Sequence, residues 1–168
     1  GYILKTQANP GYLEIVEGSI FDHELIEQLF NNADLCVNLI GILFEKGKNN
    51  FNNIHVEFPK MISRYASTYK LEKFVHLSAL GIENAKDSIY AQSKLKGEEE
   101  ILNNFDKAVI ARPSIVYSVD DNFTTQLMTL LGLLPIFPIY YNGKTKFRPI
   151  FCSDLTNSIT KIITDDIK

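Results

Sequence analysis

The 168-residue chain has no tryptophan, two cysteines, three histidines and three arginines. Each scarcity removes a class of function. Two cysteines in separate apolar runs, Cys36 and Cys152, give neither a disulfide framework nor a thiolate metal site. A free cysteine in such a run is expected to act as a small buried hydrophobe, which suits a reducing compartment. His23, His55 and His76 share no metal-ligand spacing with acidic residues, so no metal is expected. Arg64, Arg112 and Arg148 are the only guanidinium groups, and the formal net charge is −3. Bidentate reading of phosphates and bases prefers arginine, so no nucleic-acid partner is expected. No long hydrophobic run exists either. The most apolar stretch, 127–141, is broken by Gly132, Pro135 and Pro138 and is shorter than the roughly 20 residues of a spanning helix. It belongs in a core, on a surface or at a membrane interface. The opening GYILKTQANPGY lacks the apolar centre of a signal peptide.

What is present is an ordinary globular composition, 45% hydrophobic and 22% charged, without repeats or linkers. One domain over 1–168 is expected. Apolar runs alternate with helical periods. Tyr12 to Val16 reads as a strand, and Asp22 as the N-cap of a helix through Phe30. Leu35 to Leu39 is a short apolar strand, as in a parallel sheet covered on both faces. A polar loop follows over 44–53. The stretch from Ile54 to Tyr69 has a helical period, with Pro59 awkward unless it lies in the first turn. Lys73 to Leu77 and Lys107 to Ala111 read as strands, and Ile89 to Asn103 as a helix between them. A helix is expected over 122–131, an extended piece at Phe147 to Phe151, and a last helix from Asp154 to Thr164 capped by Ser153 or Asp154. This alternation predicts an α/β doubly wound parallel sheet. Such sheets bind ligands at the carboxyl ends of their strands.

Candidate chemistry lies at those ends. Tyr90 and Lys94 are four residues apart and share one helix face. An ammonium beside a phenol is expected to lower the phenol's pKa and fit it to move a proton on a carbonyl or alcohol oxygen. Ser78 ends the preceding strand, where its hydroxyl can orient the same oxygen. His76, between apolar neighbours, reads as a packing residue, and His23 as solvated. Glu98, Glu99 and Glu100 read as a solvated helix face. Arg112 reads as an anchor at a strand end.

Ser78, Tyr90 and Lys94 in this order resemble the catalytic arrangement of short-chain dehydrogenases/reductases. The resemblance extends through Val37-Asn-Leu-Ile-Gly41, Phe74-Val-His-Leu-Ser-Ala-Leu-Gly81, Tyr90-Ala-Gln-Ser-Lys-Leu-Lys-Gly-Glu98, Ala111-Arg-Pro-Ser-Ile-Val-Tyr117 and Phe147-Arg-Pro-Ile-Phe-Cys-Ser-Asp154. Within that superfamily the chain resembles the extended and atypical branches, and most of all the group holding the 39-kDa accessory subunit of respiratory complex I and its bacterial relatives. The stretches carrying this are Asn38 to Leu43, His55-Val-Glu57, Lys73 to Ser78, and Asp121-Asn-Phe123 followed by Leu134-Pro-Ile-Phe-Pro138.

The resemblance implies an NAD(P)-binding Rossmann-like domain, with NADPH favoured over NADH. It assigns Ser78, Tyr90 and Lys94 to catalysis. It assigns Ser19, Ile20, Asn38, Leu39, Ile40, Gly41, Tyr90, Lys94, Pro113 and Ser114 to the cofactor. His55 stands where the family often has Asn near the site, which implies a positioning role. The family's opening Gly-x-x-Gly-x-x-Gly turn is not found. The first two strands of the fold and its C-terminal part are therefore expected to be missing, leaving the chain prone to self-association. Ser19 stands where the family has the Asp that contacts adenine, and Ser118 where it often has Gly. Three functions follow as alternatives: an accessory or assembly-like NAD(P)-binding subunit, an active NADPH-dependent reductase or epimerase, and a fragment without independent activity. A cytoplasmic chain is expected, or one lying peripherally at the inner membrane against respiratory-complex subunits.

Overall fold

The computed structural model describes residues 9, 12–118, 129, 132–133, 142 and 146–165. The expected helix over 122–131 and the apolar run 127–141 lie largely outside the described residues. The first helix among the described residues, α1 (His23–Phe30), starts where expected: the Asp22 carboxylate accepts from the Leu25 N–H at 3.1 Å. Strand β1 (Leu35–Asn38) leads to helix α2 (Phe58–Thr68), then β2 (Lys73–Leu77), α3 (Ile89–Asn104) and β3 (Val109–Ala111). The strands form a parallel sheet in the order β1-β2-β3, and each connection carries a helix. Only the middle strand β2 is buried as a covered parallel strand, while β1 and β3 are partly exposed. Beyond it, β4 (Val116–Tyr117) pairs in parallel with β5 (Ile150–Phe151), which runs straight into α4 (Cys152–Thr164).

One core cluster joins these elements. Phe30 from α1, Phe58, Ile62 and Ala66 from α2, Phe74 from β2 and Ile101 from α3 are all buried in it. Burying each large side chain contributes about 1.5–3 kcal/mol, so this cluster supplies most of the favourable packing.

Pro59 shapes the most unusual segment. It has no N–H to give to the His55 carbonyl, the bond an unbroken α-helix would make there. The chain answers with a π turn over Asn53–Glu57, in which Phe58 N–H reaches back to the Asn53 carbonyl, and Pro59 then falls in the first turn of α2. The bulge pushes the His55 carbonyl toward α3. A Cβ on Gly97 would stand 1.8 Å from that oxygen, so only glycine lets the two helices meet here.

Three expectations need correction. The segment from Tyr12 to Val16 forms no strand. Its alternation is real, but no neighbouring strand among the described residues bonds its backbone, and Tyr12, Leu13 and Val16 stay exposed. The last helix begins at Cys152 rather than Asp154, and Phe151 stands at its cap without a side-chain bond. Ser153 and Asp154 therefore lie inside its first turn, where Asp154 still favours the positive helix end. Cys152 is exposed, unlike Cys36, whose thiol burial pushes up to about 12.

Candidate active site

The carboxyl ends of the three strands converge on the N-terminal half of α3. Ser88 caps that helix by accepting from the Ala91 N–H at 3.3 Å, which presents Tyr90 in its first turn. Ser78 follows β2 directly and is fixed by its backbone, whose N–H donates to the Ala111 carbonyl at 2.7 Å. Leu80 N–H donates to the Pro113 carbonyl at 2.9 Å, which draws Pro113 and Ser114 alongside. The result is an open cleft of about 790 Å³ lined by Ser78, Leu80, Tyr90, Pro113, Ser114 and Phe147. Four of the expected site residues thus face one space. Lys94 lies one helical turn beyond Tyr90, buried, and its Nζ donates to the Leu77 carbonyl at 3.0 Å.

The electrostatics differ from expectation in one respect. Burial raises the Tyr90 phenol above its ordinary value. The Lys94 ammonium is hydrogen-bonded to the Leu77 carbonyl rather than to the phenol. Burial lowers Lys94 itself, against the pull of Glu98. Ser78 Oγ is buried and makes no hydrogen bond of normal geometry among the described residues.

The β1 end is held from two sides. Asn38 Oδ1 accepts from the Ile40 N–H at 3.0 Å, and Asn38 Nδ2 lies 3.0 Å from His76 Nδ1 on β2. The parallel register pairs these two residues directly. Ile42 N–H donates to His55 Nε2 at 3.1 Å, and His55 Nδ1 meets Ser93 Oγ at 2.9 Å. Gly41 sits over Lys94 Nζ, while Leu39 and Ile40 turn their side chains outward. Asn38 is thus spent on shaping the turn and offers its side chain to nothing outside.

Ser19 and Ile20 lie apart from this cleft. Ser19 Oγ accepts from the Phe21 N–H at 3.2 Å, a local turn. Ile20 packs against the core and lines a second cleft of about 460 Å³ with His23, Glu57, Arg64 and Tyr65. That cleft contains none of Ser78, Tyr90 and Lys94.

Glu98 is the residue that sequence reasoning misplaced. It is not part of a solvated face but is buried, while Glu99 beside it is exposed. Its carboxylate takes two hydrogen bonds from Arg112, from Nε at 3.0 Å and from Nη2. Burial pushes the carboxyl up, but the Arg112 bonds, with Ser78 close by, outweigh it and hold the group low. The signal was present in the spacing: Tyr90, Lys94 and Glu98 follow at intervals of four and form one stripe. Arg112 anchors the strand end, as expected. His76 is buried, as expected, but it also hydrogen-bonds the Asn38 side chain. His55 turns out more central than its sequence context suggested, stacked on Phe51 and edge-on to Tyr90. Among the described residues no cluster of ligating side chains suits a metal ion.

This architecture, a parallel sheet with helical crossovers, is a Rossmann-like α/β fold. Comparison with solved structures agrees. The chain superposes on a dTDP-4-dehydrorhamnose reductase from Clostridium acetobutylicum with a TM-score of 0.73 at 17% identity, covering 97% of this chain and 66% of that one. It superposes equally on a UDP-glucuronic acid 4-epimerase from Bacillus cereus, solved with UDP-glucuronic acid and NAD, with a TM-score of 0.73 at 19% identity and coverage of 98% and 59%.

Its sequence relatives include respiratory complex I subunits. It is 25% identical over 162 residues to subunit 9 of the NADH dehydrogenase (ubiquinone) 1 alpha subcomplex of Mus musculus, covering 96% of this chain and 43% of that protein. It is 22% identical over 164 residues to the NADH-ubiquinone oxidoreductase 40 kDa subunit of Neurospora crassa, covering 97% and 42%. A ceramide reductase of Caulobacter vibrioides is 24% identical over 127 residues, covering 76% and 40%. The chain spans less than half the length of these relatives. No protein-family profile matches it. The expected resemblance to the complex I accessory subunit branch holds.

Proposed function

We propose that this chain is the central section of an NAD(P)-holding domain in a complex I accessory-subunit-like protein, with Ser78, Tyr90 and Lys94 gathered around the nicotinamide end of the dinucleotide. The observation carrying this is the shared cleft: Ser78, Tyr90, Pro113 and Ser114 line one space, and Lys94 lies buried directly behind it. Ser78 Oγ is buried beside the Glu98 carboxylate without a hydrogen bond of normal geometry, so its hydroxyl can turn to an oxygen of a ligand. Only one of the three ammonium N–H groups of Lys94 is engaged by the Leu77 carbonyl, so the residue can also hold ribose hydroxyls. The nicotinamide half of the cofactor therefore fits the residues present. A glycine-rich turn for the pyrophosphate is not found among the described residues. Asn38, Leu39, Ile40 and Gly41 belong in this reading to the wall beside the adenosine, and Ser19 and Ile20 to the adenine end.

The bound dinucleotide supplies hydride chemistry at its nicotinamide ring. The chain's residues orient it, exclude water and hold a proton on the Tyr90 phenol. Burial keeps the Tyr90 phenol protonated, the form that donates a proton to a carbonyl oxygen. We take the cofactor as a fixed part of the fold, with NADPH as its form. The natural partners are subunits of a membrane-bound respiratory complex, with this domain lying peripherally. No described helix is long and apolar enough to cross a membrane. The free edge of β1, which pairs with nothing among the described residues, is a place for strand addition from the same protein or from a second copy. Sedimentation separates these.

A second reading is an active reductase. It is supported by the complete Ser78, Tyr90 and Lys94 set and by apolar cleft walls at Leu43, Leu80, Ile115 and Phe147, which suit a lipid-like carbonyl substrate. The test is titration of the complete protein with NADPH and NADH, followed by nicotinamide fluorescence, beside a Tyr90→Phe/Lys94→Ala double variant. Tight binding by the wild type, weakened in the variant and without oxidation of NADPH, supports the fixed-cofactor reading. Oxidation upon adding a long-chain ketone supports the reductase. Binding of neither nucleotide overturns both.

A further inference from the structure

The turn after β1 is held by an imidazole on each flank: His55 accepts from the Ile42 backbone N–H, and His76 meets the Asn38 side chain. We propose that His55 and His76 are positioning residues that clamp the Asn38–Ile42 turn while both are neutral, His55 carrying its proton on Nδ1 and His76 on Nε2. As a route to dinucleotide affinity, this rests on the cofactor reading above.

The tautomers follow from the direction of the bonds. A backbone N–H can only donate, so the Ile42 amide requires a bare Nε2 on His55. The His55 proton then sits on Nδ1 and is donated to Ser93 Oγ, whose own hydroxyl donates to the Tyr90 carbonyl at 2.7 Å. An unbroken line thus runs from the turn through His55 to the first turn of α3. On the sheet side, Asn38 Oδ1 is occupied by the Ile40 N–H, so Asn38 must present its Nδ2 donor to His76. His76 Nδ1 is therefore bare and its proton is on Nε2, which is buried and meets no acceptor among the described residues, so the bond from Asn38 alone fixes this tautomer.

A doubly protonated ring at either site has a donor facing a donor and must release the turn. The surroundings guard against this. Both rings are buried, and burial together with the Lys94 ammonium lowers each to about 4. Glu45 opposes this at His55, and Glu98 opposes it at His76. The remaining faces of His55 meet the Phe51 and Tyr90 rings, which carry no charge at neutral pH. Gly41, beside both His55 Nε2 and Lys94 Nζ, places the turn over the lysine that would hold the nicotinamide ribose.

Nitrogen NMR of the imidazole rings in the complete protein tests the clamp directly. The expected spectrum at pH 6 has both rings neutral, His55 protonated on Nδ1 and His76 on Nε2. The opposite tautomer on either ring, or titration of either near the ordinary value of about 6.5, overturns the proposal. NADPH affinity supplies the second arm. His55→Phe keeps a ring against Phe51 and Tyr90 but offers no acceptor, and is expected to bind NADPH at least about ten-fold more weakly. His55→Gln, which restores an acceptor near the Nε2 position, is expected to recover most of that loss; a mere packing role would predict the reverse order. Wild-type affinity in His55→Phe overturns the clamp. A wild-type protein that binds no dinucleotide overturns the cofactor reading instead, and the NMR result then judges the clamp alone.

Discussion

Replacing Gly97 by alanine sets two effects of opposite sign against each other. Gly97 lies inside α3, and in an isolated helix alanine is favoured over glycine by about 1 kcal/mol. In the folded protein the new methyl carbon would stand 1.8 Å from the His55 carbonyl oxygen and 3.0 Å from its carbonyl carbon. Backbone cannot swing aside as a flexible side chain can, so α3 and the π turn must part by more than about 1 Å, at the usual overpacking cost of about 1–3 kcal/mol. The shift also moves the His55 ring, stretching its bonds to Ile42 and Ser93, each contributing about 1 kcal/mol. After the propensity gain, a net loss of about 2–4 kcal/mol is expected. For a protein of this size that lowers Tm by about 5–15 °C. Thermal unfolding followed by circular dichroism measures it. A Gly97→Ala protein as stable as the wild type, or more stable, would refute the close contact and with it the placement of His55.

Acid stability follows from the two histidines. Both are lowered to about 4 from 6.5, so the unfolded chain takes up protons first. Stability is full above about pH 6.5 and falls as pH drops toward 4, by at most about 3 kcal/mol per ring. Glu98, held low, contributes in the same direction at lower pH, as its carboxylate protonates. Denaturant midpoints that do not change between pH 7 and 4.5 contradict this. Glu98→Ala removes the Arg112 bonds from a buried position and opens a gap beside Ser78, at an expected cost of about 1–3 kcal/mol, since Arg112 is partly exposed. A chemical melt within about 0.5 kcal/mol of wild type speaks against a fastening role. Asp22→Ala takes away the α1 cap and is expected to cost about 1 kcal/mol, seen as faster amide exchange in α1.

The sequence by itself determined the alternation of strand and helix and hence the parallel sheet, because the hydrophobic period is a local property of the chain. The runs at Leu35, Lys73 and Val109 became strands, and Tyr90 and Lys94 fell on one helix face because spacing alone decides that. It also determined the order of motifs that ties the chain to its relatives. Other features needed the tertiary structure. Tyr12 to Val16 has the alternation of a strand, yet a strand exists only when another backbone bonds to it. Glu98 looked like one of three solvated acids, and only the approach of Arg112 from the end of β3 made its burial affordable. The Tyr90 phenol is raised by burial that only the packed fold supplies, and Lys94 Nζ found its acceptor in a carbonyl on another element. Gly97 and His55 stand 42 positions apart, and no local pattern says that one must lack a side chain so that the other can reach the turn. Periodicity is written along the chain, while hydrogen-bond partners and close approaches are set by elements distant in sequence, and the site is built from those.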